Sequence, residues 1–212
     1  MAFFPCFFDV AEQRALLSAS LRKLDSTESR LMKRRRKDYL SKTQQEKNSS
    51  FPDAYSGFLP DELYKFESGH FDGVIRHYRE MHVSSWEDVA SPQLLSALDR
   101  LKELYPSSGY DTQTHILHLA SHGDIFPHVD NVEASGSWIL GVSLGTTRLL
   151  RLVPVTGGTD EPSYEILLPP GSVYIQRNSI RYGYKHSILR EGSGFTAGQR
   201  LSLMVRVSLE FT

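Results

Sequence analysis

Arg200-Leu201-Ser202-Leu203-Met204-Val205-Arg206-Val207-Ser208-Leu209 alternates without a break. Arg200, Ser202, Met204 and Arg206 fall on one side of an extended chain, and Leu201, Leu203, Val205, Val207 and Leu209 on the other. Side chains alternate across a strand, so the pattern predicts a β-strand with one face in a core. The second face carries two arginines. A strand buried on its leucine and valine side places guanidinium groups opposite only where water or an anion receives them. At roughly 3.3 Å per residue the two arginine backbones stand about 20 Å apart, so they cannot both clamp one carboxylate. The spacing allows one at each end of an anion-holding site.

The rest of the chain after residue 110 has the same character. Short apolar, β-branched segments at 113–120, 125–129, 137–144, 147–153, 163–168, 172–177, 182–188 and 199–209 are separated by Gly, Pro and Asp. Eight short strands so punctuated predict a sandwich or jelly roll. The chain before 110 differs. Asp9-Val10-Ala11-Glu12 has the form of a capping box, and Leu17, Leu21 and Leu24 follow at helical spacing, which predicts a helix over about 9–24. Ser91-Pro92 predicts a second helix start, with Leu94, Leu95, Leu98, Leu101 and Leu104 as its core stripe and Gly109 as its stop. Residues 25–53 are too polar for a packed element and predict a loop or a solvated helix. Helices first and strands later predict an α+β arrangement in one domain, 1–212. Its helical and charged part, 1–110, would support one sheet of a jelly-roll core in 111–212.

Bulk properties exclude several classes. The chain has 212 residues, 40% of them hydrophobic, which suffices for one globular core. Its net charge of −1 and pI of about 6.7 give no global field to draw in nucleic acid or anionic membrane. No apolar run reaches the roughly 18 residues of a transmembrane helix. A lone cysteine, Cys6, excludes an internal disulfide and predicts a reducing compartment. The start, Met1-Ala2-Phe3-Phe4-Pro5-Cys6-Phe7-Phe8, has neither a secretory nor a transit-peptide pattern. It predicts a cytosolic or nuclear protein, or a sequence that begins short of its natural N-terminus.

His-x-Asp occurs three times: His70-Phe71-Asp72, His122-Gly123-Asp124 and His128-Val129-Asp130. Residues i and i+2 of a strand share a face, so such a pair can grip one ion. Ile125-Phe126-Pro127-His128-Val129-Asp130 alternates like a strand. Gly123 predicts a turn, and His70 lies in the less regular half, so His128 and Asp130 are the favoured pair. His186 is the one histidine that follows. It lies on Tyr182-Gly183-Tyr184-Lys185-His186, where Tyr182, Tyr184 and His186 would share a strand face. Two imidazoles and one carboxylate make the ligand set of a non-haem Fe(II) oxygenase, and the arginines that follow suit an anionic cosubstrate.

This ordered set resembles the AlkB-type Fe(II)/2-oxoglutarate dioxygenases: His128/Asp130, then His186, then Arg200-x-Ser202-x-x-x-Arg206. The likeness is strongest to the mitochondrial branch tied to programmed necrosis and fatty-acid metabolism. It is carried by His70-Phe71-Asp72 through Arg79-Glu80 to Trp86, by Pro127-His128-Val129-Asp130, and by Leu168-Pro169-Pro170-Gly171-Ser172-Val173-Tyr174-Ile175. The resemblance implies a double-stranded β-helix, the cofactors Fe(II), 2-oxoglutarate and O2, and a mitochondrial matrix location. It implies His128, Asp130 and His186 as metal ligands, with Arg200 and Ser202 in the 2-oxoglutarate site and Arg206 toward the metal end. Many members carry Asn-x-Tyr on the preceding strand; Leu117 and Leu119 stand there in this chain, so Tyr174 takes over the phenolic contact. Three functions follow: a dioxygenase acting on a protein or metabolite, an RNA demethylase using the basic run Lys33-Arg34-Arg35-Arg36-Lys37, or a non-enzymatic regulator that keeps the iron site.

Overall fold

A computed structural model describes residues 1–46, 57–106, 111–130, 136–156, 162–190 and 198–207. Its strands are β1 (Ala2–Phe4), β2 (Glu67–Gly69), β3 (Ile75–Val83), β4 (Thr112–His128), β5 (Trp138–Gly145), β6 (Arg148–Pro154), β7 (Tyr164–Leu168), β8 (Ser172–Arg177), β9 (Tyr184–Leu189) and β10 (Arg200–Val207). Its helices are α1 (Val10–Ser26), α2 (Arg30–Glu46), α3 (Pro92–Lys102) and α4 (Ser179–Gly183). The strands pair antiparallel in the order β1-β8-β5-β10-β4-β9-β6-β7, and β3 joins β4 with β2 outside it.

The sheet curls into two layers because β4 serves both. Its first half pairs with β10 and β3, and its end pairs with β9, where His128 faces His186. Residues 113–120 and 125–129 are therefore one strand, and Gly123 lies inside it rather than in a turn. A Cβ at Gly123 would stand 2.6 Å from the His77 carbonyl oxygen, so the crossing is open only to glycine. This curled, helix-backed sheet has the α+β jelly-roll form expected from the strand pattern.

Two apolar clusters fill it. One joins Leu16, Leu17, Leu21 and Leu24 of α1 and Leu94 and Leu101 of α3 to Leu201, Leu203, Val205 and Val207 of β10. The other lies between the layers and contains Tyr78, Leu117, Leu119, Leu150, Leu152, Tyr174 and Ile188. The alternation of β10 thus puts its aliphatic side against the helices and Arg200, Ser202, Met204 and Arg206 between the layers.

Local signals act as the sequence predicts at two helix starts. Asp9 and Glu12 form a reciprocal capping box, and Ser91 caps α3 ahead of Pro92. Leu95, however, is exposed: α3 buries Leu94, Ala97 and Leu101 instead. The expected stop at Gly109 lies outside the described residues. Residues 1–110 also supply three strands. These are too short, or too polar on one face, to stand out by pattern. The basic run lies on α2, where Arg36 is buried, pairs with Glu28 and donates to the Leu63 carbonyl, while Lys33, Arg34, Arg35 and Lys37 are exposed.

A buried polar brace ties these layers. Arg79 donates through Nε to His118 Nδ1 at 2.9 Å and through Nη1 to Asp25 and Glu28. Arg79 can only donate, so His118 carries its proton on Nε2 and donates it to Gln199 Oε1 at 2.8 Å. Burial, with the Arg79 charge, keeps His118 well below the ordinary imidazole pKa.

Candidate metal centre

Strand register builds one end of the inner face. His128 ends β4, His186 sits opposite on β9, and Asp130 follows two residues beyond the strand. One donor atom from each lies within 4.8 Å of the others. His128 Nε2 is 3.3 Å and His186 Nε2 3.8 Å from Asp130 Oδ1. His128 Nδ1–H donates to the Phe126 carbonyl at 2.9 Å, which fixes the ring and leaves Nε2 toward the other two groups.

Arg181 holds the carboxylate, and sequence reasoning missed it. Its side chain is fully buried, and Nη1 donates to Asp130 Oδ2 at 2.8 Å. Oδ1 is thereby turned to the histidines. Arg206 Nη2 stands 3.8 Å from the same Oδ1. Burial alone would raise the Asp130 pKa. The His128 hydrogen bond and the nearby His186, Arg206 and Arg181 hold it well below the usual carboxylate range. The His186 imidazole is pushed down to about 4, chiefly by burial. In His128, burial favours the neutral ring, but the contacts to Asp130 and Phe126 outweigh it and raise the pKa.

The expectation that Tyr182 shares a strand face with Tyr184 and His186 is corrected by α4. Asn178, at φ 54°, turns the chain out of β8, and residues 179–183 coil before β9 begins at Tyr184. This coil aims Arg181 inward. The sequence signal was the break in alternation between Arg177 and Tyr184.

The other two His-x-Asp pairs go elsewhere. His122 approaches Asp61, and Asp124 takes a two-pronged contact from Arg190. His70 Nδ1 meets Asp72 Oδ1 at 2.9 Å between β2 and β3. Neither pair gathers a third donor among the described residues.

The opposite end of the inner face is built around Arg200. It is 1% exposed, and Nε donates to Ser143 Oγ at 3.0 Å. Tyr174 hydrogen-bonds it as well. Tyr174 lies flat over Gly141, where a Cβ would stand 2.3 Å from the ring. Among the described residues no carboxylate pairs with Arg200. Burial lowers its pKa, and the Tyr174 contact offsets only part of that. Among the described residues, Arg200 Nη2, Ser202 Oγ and Ser172 Oγ are buried without hydrogen-bond partners; Gln176 Nε2 is likewise unsatisfied, but level with Arg206 through Ile139. Buried polar groups are ordinarily satisfied. The free Nη2 of this buried cation, with the Ser202 and Ser172 hydroxyls in register through Ser143, therefore fits an anionic, oxygen-rich guest such as 2-oxoglutarate. Leu117 and Leu119, facing β10 at Ser202 and Arg200, leave that contact to β5, β8 and β10.

Comparison with known proteins agrees with this chemistry. The sequence model of the 2OG-Fe(II) oxygenase superfamily matches residues 1–209. The mitochondrial alpha-ketoglutarate-dependent dioxygenase alkB homolog 7 of Mus musculus and that of Bos taurus are each 36% identical to this chain over 147 residues. The match takes in 68% of this chain and spans 64% of the length of each relative. A Pseudomonas putida prolyl-4-hydroxylase superposes with a TM-score of 0.52 at 14% identity, over 98% of this chain and 92% of that one. At that identity the likeness is one of fold.

Proposed function

Because the chain belongs to the 2OG-Fe(II) oxygenase superfamily, we propose that it is an Fe(II)/2-oxoglutarate-dependent dioxygenase that hydroxylates a protein or small-molecule substrate. The carrying observation is the pairing of two ends on one inner face. Three metal-type donors converge at the first, and a carboxylate-free buried guanidinium waits at the second. Fe(II) with 2-oxoglutarate and O2 supplies oxidative decarboxylation to succinate and CO2, with one oxygen atom passed to a substrate C–H.

His128, Asp130 and His186 hold the metal. The Phe126 carbonyl fixes the His128 tautomer, and Arg181 fixes which carboxylate oxygen of Asp130 is offered. Arg206 balances charge at the same end. Arg200 takes the distal carboxylate of 2-oxoglutarate with Tyr174 and the Ser202 hydroxyl, a charge-assisted contact in a dry pocket. A mitochondrial setting is supported by the relatives, which are named mitochondrial. The resemblance in sequence adds metabolic or programmed-necrosis roles there.

The test is succinate formation from 2-oxoglutarate by purified protein with Fe(II) and ascorbate, beside His128→Ala. Turnover that vanishes in the variant supports the dioxygenase. Turnover that persists in the variant, or is lacking in both, sinks it.

A further inference from the structure

The inner face has a third region that neither end uses. Tyr78 belongs to the inner apolar cluster, whereas Met81 and Val83 of the same strand pack against the helix-backed one. By alternation Glu80 and His82 face inward with Tyr78. Glu80 stands in register with Leu117, and His82 with His115. His115 Nε2 is 3.1 Å from Glu80 Oε2, and the His82 and His115 rings stack at 4.6 Å.

This cluster adjoins the metal end. His115 is opposite Met204, two residues short of Arg206 on β10, which is about 7 Å along the strand. Burial lowers the His82 pKa, and the Arg206 charge adds to that; Arg206 in turn faces Asp130.

Glu80 stands on the inner wall beside the apolar Leu117, Leu119 and Met204. Among the described residues no lysine or arginine forms an ion pair with it; its partner is an imidazole. The His115 hydrogen bond, working against burial, holds the Glu80 carboxyl below its ordinary range, so it stands charged. Its side chain is 33% exposed. Among the described residues His115 Nδ1 is buried with no hydrogen-bond partner. An unsatisfied buried ring nitrogen is a liability for folding unless a guest pairs with it, and the partly exposed Glu80 carboxylate beside it is open to such a guest.

Resting on the dioxygenase reading above, we propose that Glu80, with His115 and His82 beside it, is the substrate anchor. It takes the protonated amine or guanidinium of a cationic substrate group and holds a neighbouring carbon toward the His128–Asp130–His186 centre.

Calorimetric titration of the full chain with Mn(II) and 2-oxoglutarate, where turnover is blocked, reads this subsite. The probes are N-acetyl-lysine amide, N-acetyl-arginine amide, n-butylamine and the uncharged N-acetyl-norleucine amide. A cationic probe should bind at least about tenfold tighter than the norleucine amide, the size of one charge-assisted contact. Glu80→Gln should abolish that preference, and Glu80→Asp should keep part of it. Tighter binding of the capped amides than of n-butylamine assigns a peptide side chain, and the reverse assigns a free amine. Equal binding of charged and uncharged probes by wild type, or a cationic preference that survives Glu80→Gln, overturns the anchor. Substrate-free succinate formation by wild type, followed in parallel, tests the dioxygenase itself: its absence strikes that reading, while the binding preference stands or falls on the titration.

Discussion

The two ends of the inner face handle buried charge in opposite ways. At the metal end, Asp130 is matched by Arg181 at 2.8 Å and Arg206 at 3.8 Å, with two imidazoles alongside. At the other end, Arg200 is as deeply buried, but among the described residues its polar partners are Ser143 and Tyr174. A compensated cluster is a scaffold that keeps its geometry before any guest arrives. An uncompensated cation suits an anionic partner that comes from outside, as proposed for Arg200. Removing charge should therefore harm the first end and relieve the second.

The largest effect is expected at the metal. His128→Ala should abolish 2-oxoglutarate turnover, while His122→Ala, whose ring approaches Asp61 rather than the centre, should stay within about twofold of wild type. Equal losses in succinate assays would break the choice among the three His-x-Asp pairs. Next, Arg181→Met should lower metal affinity or turnover about 10–100-fold, since Asp130 would lose the group that orients it. A metal titration that matches wild type would reduce Arg181 to packing.

At the other end, Arg200→Ala should raise the 2-oxoglutarate KM by about 10–100-fold with metal affinity nearly unchanged, the loss of one charge-assisted contact. An unchanged KM would move the distal carboxylate elsewhere. The comparison is sharpest in ligand-free stability. Arg181→Met should destabilise by about 3–5 kcal/mol by stranding a buried carboxylate, whereas Arg200→Met should be neutral or stabilising by about 1–4 kcal/mol. Chemical denaturation would read both, and the same sign in the two variants would erase the distinction.

The smallest effect concerns the His118 brace behind Arg200. The folded state keeps this imidazole neutral, so its pKa lies below the ordinary value of 6.5. As pH falls through 6.5 the unfolded chain takes up the proton first. Stability from this group is complete above that pH and declines below it. His118→Gln should be less stable at pH 7 but should flatten the acid slope of Tm between about pH 6.5 and 5. A slope identical to wild type would assign the acid sensitivity to other groups.

Much of this site was legible in the chain. The strict alternation of β10 put Arg200 and Arg206 on one face and the aliphatic residues on the other, and the clusters divide along that line. The capping residues Asp9, Glu12 and Ser91 act within one turn of helix, so local sequence contains their whole geometry. Other features were hidden for definite reasons. Arg181 comes from a short coil whose direction depends on the positive φ of Asn178, and it mimics a strand start in the sequence. Leu95 fits the helical stripe, yet only three-dimensional packing decides which side of that stripe meets α1. Ser143, Ser172 and Gln176 look like ordinary strand polars until β10 is laid beside β5 and β8.

By itself the sequence determined which side chains share a face, because that follows from the two-residue period of an extended chain. It also singled out His128, Asp130 and His186 as the proposed donor set, and their donor atoms gather within 4.8 Å. What only tertiary structure decided is who stands opposite whom. His128 meets His186 across 58 positions of chain, counted from their numbers, through the β4–β9 pairing. The pairing of β3 with β4 likewise brings Glu80 and His115 together. Long-range register is set by the sum of core packing over both layers, and no short stretch of sequence contains that sum.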